Sequence, residues 1–190
     1  ESEVAAARKK FDLDGDDRPV FGLNAGAEYG PAKRWPIAKF IATAREIQRR
    51  TNCVWLVFGG AGDTVLAAEI ESAFQDQPAA VRNLAGRTSL RELCAALRFC
   101  RVVLTNDTGP MHVAAAVGTP VVVPFGSTSP ELTGPGFPGA ARHVFLRSVV
   151  PCSPCFLREC PVDFRCMEGI SVERAVDAVM RLSANELSRF

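Results

Sequence analysis

Short, uninterrupted apolar runs alternate along this chain with stretches whose apolar residues fall three and four positions apart. No other feature restricts the fold as tightly. Val20–Asn24 and Cys53–Phe58 open the series, and Val81–Ala85, Arg101–Thr105, Thr119–Phe125 and His143–Leu146 continue it. A run that is apolar at nearly every position leaves no face for water, as in a strand of a parallel sheet covered on both sides. The intervening stretches read as helices. Pro36–Arg50 carries Ile37, Phe40, Ile41, Ala44 and Ile47 on one stripe, with Pro36 suited to the first turn. Thr64–Gln75 returns to helical spacing through Val65, Ala68 and Phe74, and Ser89–Phe99 through Leu90, Leu93, Cys94 and Leu97. Gly109–Val117 is a short helix, and Ser171–Leu182 closes the chain with Val172, Ala175, Val176 and Val179 inward. The pattern predicts an α/β domain over residues 19–190, built on a doubly wound parallel sheet. In such folds ligands bind beyond the carboxyl ends of the strands.

Residues 1–18 read as a leading helix or linker. Asp12–Asp17 is expected to be a solvated turn, because its D-x-D-G-D-D order lacks the glycine and glutamate positions of a calcium loop. The length of 190 residues fits one domain able to bury about 70% of its unfolded surface. Twenty-two basic and 21 acidic residues leave a formal charge of +1, so the basic excess of a nucleic-acid binder is absent. No apolar run approaches the roughly 18 residues of a membrane span. The first ten residues lack the layout of a signal peptide, and the expected location is cytoplasmic.

The loops after the strands carry the chemistry. Asn24–Pro36 follows the first strand; Ala25, Gly26 and Ala27 are small enough for backbone amides to approach a ligand, and Lys33 precedes a helix. Amides, a cation and a helix dipole together suit a phosphate, although the order is not that of a Walker loop. Asn106–His112 opens directly into a helix. Either Asp107 or Thr108 serves as its N-cap, or the amides of Thr108 and Gly109 receive an anion that His112, one turn in, also reaches. Two such loops on one edge suggest a pyrophosphate. Asp63, ending Gly59–Asp63, suits either a ribose hydroxyl or the cap of the following helix. The donor loops hold no acidic cluster suited to Mg²⁺.

Seven cysteines are too few for a secreted disulfide scaffold of this length. Cys53, Cys94 and Cys100 read as small core side chains. Cys152, Cys155, Cys160 and Cys166, in the loop 151–167, have the spacing C-x₂-C-x₄-C-x₅-C. They suit a structural zinc, less readily an iron–sulfur cluster, and equally free thiols or disulfides.

The segments 25–36 and 105–112, with Leu84–Leu90, Gly118–Pro120, Phe125–Pro130 and Cys152–Cys155, resemble the donor domain of the lipopolysaccharide heptosyltransferase family, from about Pro19 to Leu182. The resemblance implies the Rossmann-like, C-terminal half of a B-type glycosyltransferase fold, and an inverting enzyme that takes ADP-heptose and requires no cofactor. It implies that Lys33 contacts the donor phosphates, that Asp63 holds the ribose, and that adenine is read through the main chain at Thr88. Asp107, Thr108, Gly109 and His112 then line the pyrophosphate, with Lys33 and Asp107 as the catalytic pair; Asp107 either touches the sugar or orients Lys33. The acceptor, a lipid-linked saccharide, and the general base belong to an N-terminal domain that this sequence does not contain. Without that domain the chain is expected to be inactive, and membrane contact is expected to be peripheral, at the inner membrane. A related transferase with another nucleotide sugar, or a non-catalytic nucleotide-binding module, fits the same residues.

Overall fold

The computed structural model describes residues 2–136 and 142–187. Its strands are β1 (Val20–Asn24), β2 (Val54–Val57), β3 (Val81–Asn83), β4 (Val103–Thr105), β5 (Val121–Phe125) and β6 (Val144–Arg147). All are parallel, in the order β3-β2-β1-β4-β5-β6. The order reverses between β1 and β4, which are neighbours although β2 and β3 intervene in sequence. Leu23 of β1 pairs with Val57 on one side and Leu104 on the other. The helices are α1 (Ser2–Lys10), α2 (Ile37–Thr51), α3 (Thr64–Ser72), α4 (Leu90–Arg98), α5 (Gly109–Ala116), α6 (Pro130–Thr133), α7 (Arg165–Glu168) and α8 (Val172–Leu187).

Alternate residues of each strand enter different cores, as the pleat requires. Phe21, Leu23, Trp55, Val57, Leu104 and Val122 face α2, α3 and α8. Val20, Val54, Leu56, Val103, Val121 and Val123 face α1, α4 and α5. The expected doubly wound α/β sheet is therefore present, with both faces covered. Gly22 in β1 has no alternative: a Cβ there would lie 2.9 Å from a methyl of Val103 on the adjacent strand.

Helix faces depart from the spacing at two places. Val65 is 78% exposed and Ala68 is exposed too, and α3 instead buries Ala67 and Ile70, with Phe74 just beyond its end. Leu90 is 69% exposed, and α4 buries Ala95, Ala96 and Leu97 while Cys94 is half-buried. Val65 and Leu90 both sit in the first turn. Pro36 is the N-cap of α2 rather than its first residue, and its carbonyl accepts from the amides of Lys39 and Phe40. Cys53 and Cys100 are core residues as expected, and burial pushes the Cys53 thiol up to about 11.

A turn forms at 12–17 as expected, with Asp12, Asp14, Gly15 and Asp17 exposed, but one of its residues is not solvated. Leu13 is fully buried, next to Phe11 and Ala7 in the core beneath α1 and α4. The Arg8 guanidinium donates to the carbonyls of Leu13 (3.1 Å) and Asp16 (2.9 Å), and Lys10 pairs with Glu92 of α4 at 2.5 Å. Arg18 beside Asp16 holds that carboxyl below its usual range. Among the described residues no helix is long and apolar enough to cross a membrane. Leu13→Ala is expected to lower stability by about 2–5 kcal/mol, the cost of a core cavity. Urea denaturation checks this: a residue in a solvated turn would change stability by less than about 0.5 kcal/mol.

Candidate functional site

At the carboxyl edge, the loops after β1 and β4 are joined by one buried amide. Asn106 donates from Nδ2 to the Ala25 carbonyl (2.7 Å) and accepts at Oδ1 from the Trp35 amide (3.0 Å). Its own amide donates to the Asn24 carbonyl at 3.2 Å. Trp35 is locked in turn: its indole N–H donates to the Ile170 carbonyl at 3.2 Å and its ring packs edge-on against Phe40. These contacts fix both ends of the segment 25–35, within which Pro31–Lys33 forms a 3₁₀ turn.

That turn aims Lys33 at Asp107. The Nζ–Oδ2 distance is 2.8 Å, and the side chains are 11% and 3% exposed. The same Oδ2 accepts from the hydroxyls of Thr128 (2.7 Å) and Thr133 (2.8 Å), which bring in the loop after β5 and helix α6. A carboxylate this buried is tolerable because its charge is paired and hydrogen-bonded. Lys33 Nζ also lies 5.0 Å over the Tyr29 ring.

Asp107 is thus turned away from α5, whose N-cap is Thr108, and no side chain caps that helix. Pro110 has no N–H and the Met111 amide donates to the Thr108 carbonyl at 3.0 Å, so the amides of Thr108 and Gly109 are the ones left to solvent or to a ligand, the arrangement that receives anions. Gly109 is exposed, with nothing within 4 Å of where a Cβ would stand. His112 is exposed one turn further along.

Asp63 is the N-cap residue of α3, as one of the two readings expected, but its side chain makes no hydrogen bond to that helix. Its Oδ2 accepts from the Gly60 amide at 2.9 Å. A Cβ on Gly26 would lie 2.2 Å from Asp63 Oδ1, so only glycine lets the loops after β1 and β2 meet there. Ala25 and Ala27 beside it are buried. The loop after β3 continues this row: the Gly86 amide donates to the Gly59 carbonyl at 3.0 Å, and half-buried Thr88 follows two residues later. Ala25–Ala27, Lys33, Asp63, Asp107, Thr108, Gly109 and His112 therefore lie along one edge, spanning the adjacent loops after β2, β1 and β4. Thr88 stands at the far end, two strands from Lys33. A cavity of about 480 Å³ adjoins the first loop, with Ala25, Arg34, Trp35, Leu66 and Asp163 in its wall.

Cys152, Cys155, Cys160 and Cys166 line a single smaller cavity of about 70 Å³ and are free thiols. Among the described residues no group of three or more His, Cys, Asp or Glu is arranged to hold a metal, so the zinc that was one reading of their spacing has no ligand set here. Burial pushes the Cys166 thiol up. Hydrogen bonds hold the segment down instead: the Phe156 amide donates to the Ser127 carbonyl (2.7 Å), and the Ser153 hydroxyl to the Gly126 carbonyl (2.7 Å).

The sequence profile of glycosyltransferase family 9 (heptosyltransferase) matches residues 1–164. The chain belongs to glycosyltransferase family 9, the heptosyltransferases. It is 32% identical over 168 residues to the lipooligosaccharide heptosyltransferase 2 of Campylobacter jejuni, covering 87% of this chain and 52% of that protein. It is 39% identical over 136 residues to the lipopolysaccharide heptosyltransferase 2 of Salmonella typhimurium, covering 71% and 38%. The solved structure of Escherichia coli ADP-heptose lipopolysaccharide heptosyltransferase II matches with a TM-score of 0.84 at 30% identity, over 98% of this chain and 52% of that one. The chain spans about half the length of these relatives, or less.

Within this family 9 chain, the partners that complete the Lys33–Asp107 pair were not nominated from sequence. Thr128 and Thr133 are ordinary loop and helix hydroxyls there, and Asn106 is one polar residue after an apolar run. The only signal was position, since each follows a strand at the edge where ligands bind. Asp107→Ala is expected to destabilise the chain by about 3 kcal/mol, because it strands a mostly buried ammonium. Lys33→Met in the same chain should recover part of that loss. Thermal and urea denaturation of the single and double variants check this; independent, additive effects would deny that the two side chains form one unit.

Proposed function

We propose that this chain is the donor-binding half of an inverting heptosyltransferase that transfers heptose from ADP-heptose to the lipopolysaccharide inner core. The observation that carries this reading is the Lys33–Asp107 pair standing on the same edge as the uncapped N-terminus of α5. A cation fixed in place and the two unpaired amides of Thr108 and Gly109 are what a leaving diphosphate needs. The name of the E. coli heptosyltransferase II, which specifies ADP-heptose, and its 30% identity to this chain also support it.

On this reading the acceptor hydroxyl attacks the anomeric carbon from the face opposite the diphosphate, the carbon–oxygen bond to ADP breaks, and configuration inverts. The general base and the saccharide-binding surface come from an N-terminal half outside this chain, so this chain alone binds donor without turnover. Lys33 and the amides of Thr108 and Gly109 take up the negative charge that develops on the departing phosphate, and these groups meet it without a resident cofactor. Such preorganised donors are each worth about 3 kcal/mol of barrier in other enzymes. His112 approaches the same diphosphate. Ala25, Gly26 and Ala27 let the donor close on the backbone, Asp63 accepts from the ribose hydroxyls, and the main chain at Thr88 reads the adenine. Asp107 acts by orienting Lys33. The enzyme works in the cytoplasm, against the lipid-linked acceptor at the inner membrane.

Isothermal calorimetry tests the assignment. ADP is expected to bind the chain, and Lys33→Ala to weaken it at least about tenfold, the scale of one charge-assisted hydrogen bond. The circular dichroism spectrum of that variant should stay native. Unchanged ADP affinity in a folded Lys33→Ala chain would remove Lys33 from the site. Stronger thermal stabilisation by UDP- or GDP-sugars than by ADP-sugars would move the reading to another donor.

A further inference from the structure

The segment that carries the clustered cysteines also carries a cation to the rim of the donor site. Arg158 lies with its guanidinium carbon 5.1 Å from the Tyr29 ring centroid, the ring over which Lys33 Nζ stands at 5.0 Å. Two cations therefore share one aromatic side chain, which is itself 42% exposed. The Arg158 backbone is stapled to the loop after β1. Its carbonyl accepts from the Ala32 amide at 3.0 Å, and its Nε donates to the Tyr29 carbonyl at 2.6 Å. The Tyr29 hydroxyl donates to the Phe156 carbonyl at 3.0 Å, closing the contact from the other side. A Cβ on Gly30 would stand 2.5 Å from the Arg158 oxygen, so the approach depends on glycine.

Charge balance shows what this cation is for. Lys33 is already neutralised by Asp107, and Asp63 adds a further negative charge on the same edge. A nucleoside diphosphate brings at least two negative charges to this edge, more than an already paired Lys33 and the partial charge of the α5 N-terminus offset. Among the described residues no carboxylate pairs with Arg158. Its two terminal nitrogens remain free to donate, in the planar geometry that grips phosphate oxygens.

We infer that Arg158 is a diphosphate-binding residue, delivered to the donor site by the cysteine-bearing segment and positioned by Tyr29. The inference rests on the donor reading above. The planar face of Tyr29 holds the side chain in reach through a cation–π contact while leaving the guanidinium edge open.

Calorimetric and NMR titrations of the chain with ADP and with adenosine test it. Arg158→Ala is expected to weaken ADP about tenfold and to leave adenosine affinity unchanged, and Arg158→Lys to restore part of the loss. Equal weakening of both ligands would show that Arg158 only supports the loop, and unchanged ADP affinity would show that it touches no phosphate; either overturns the inference. The Arg158→Lys chain, which keeps the charge, answers the question should Arg158→Ala fail to fold, since its ADP affinity must then rise above that of Arg158→Gln. If the unsubstituted chain binds adenosine and ADP equally, the donor reading itself fails, and this inference with it.

Discussion

The side-chain amide of Asn106 is the contact on which the edge of this molecule depends. It is buried, so both of its polar ends must find partners, and each finds one on the loop after β1: the Ala25 carbonyl and the Trp35 amide. β1 and β4 are neighbours only because the sheet order reverses between them. At such a point two loops leave adjacent strands toward opposite faces and a crevice opens. Without a tie across that crevice, the 3₁₀ turn bearing Lys33 and the loop bearing Asp107 would be set by separate segments of chain. Asn106 makes them one body. The bonds are also self-sorting, since the oxygen must face an N–H and the nitrogen a carbonyl, which fixes the amide's orientation.

The sheet beneath contributes rigidity. Every residue of β1, β2, β4 and β5 is buried. Alternate side chains lock into two separate cores, so a strand cannot slip by one residue without exchanging its whole complement between them. The polar groups of the site thus stand on the end of a slab that resists shear. This is the usual way such folds hold a flexible ligand with loops that are not themselves regular structure.

Much of this was legible in the sequence, for reasons that also explain the failures. Runs such as Val54–Val57 are apolar throughout because parallel strands are covered twice, and that signal does not depend on register. Helix faces gave a weaker one. In α3 and α4 the buried residues are Ala67 and Ile70, and Ala95, Ala96 and Leu97, while the conspicuous Val65 and Leu90 stand in exposed first turns. The spacing therefore found the later part of each face, at Phe74 and Leu97, and missed at the first turns. Leu13 was hidden for a different reason. It is one apolar residue among four acidic neighbours, and its burial follows from Arg8 folding back onto the Leu13 and Asp16 carbonyls, a contact with no periodic trace. The convergence of Lys33 with the Asp107 loop was foreseeable because both follow adjacent strands. The hydroxyls of Thr128 and Thr133 were not, because they depend on how α6 folds back over the edge. Spacing brought the four cysteines of residues 152–166 around one small cavity, yet among the described residues they are not arranged as a metal ligand set, because spacing along the chain does not fix the geometry of the sulfurs.

Lys33 and Asp107 pose a physical problem that their neighbours resolve. On the proposed donor reading, a lysine that receives phosphate must be held still, and a carboxylate at 2.8 Å holds it, but that carboxylate also cancels its charge. The two threonine hydroxyls change the balance, because each donates to the very oxygen that contacts Lys33 and draws off part of its negative charge. Asp107 is then stable while buried, and its hold on the ammonium is softened without being released. An ammonium has three donors in tetrahedral array, and Asp107 occupies one of them. The other two remain to be filled, with the exposed face of Tyr29 supporting the charge on one side. The pair is therefore better described as a lysine preset in direction than as a salt bridge that stabilises the fold. It costs side-chain freedom before any ligand arrives, and an incoming anion does not have to supply that cost again.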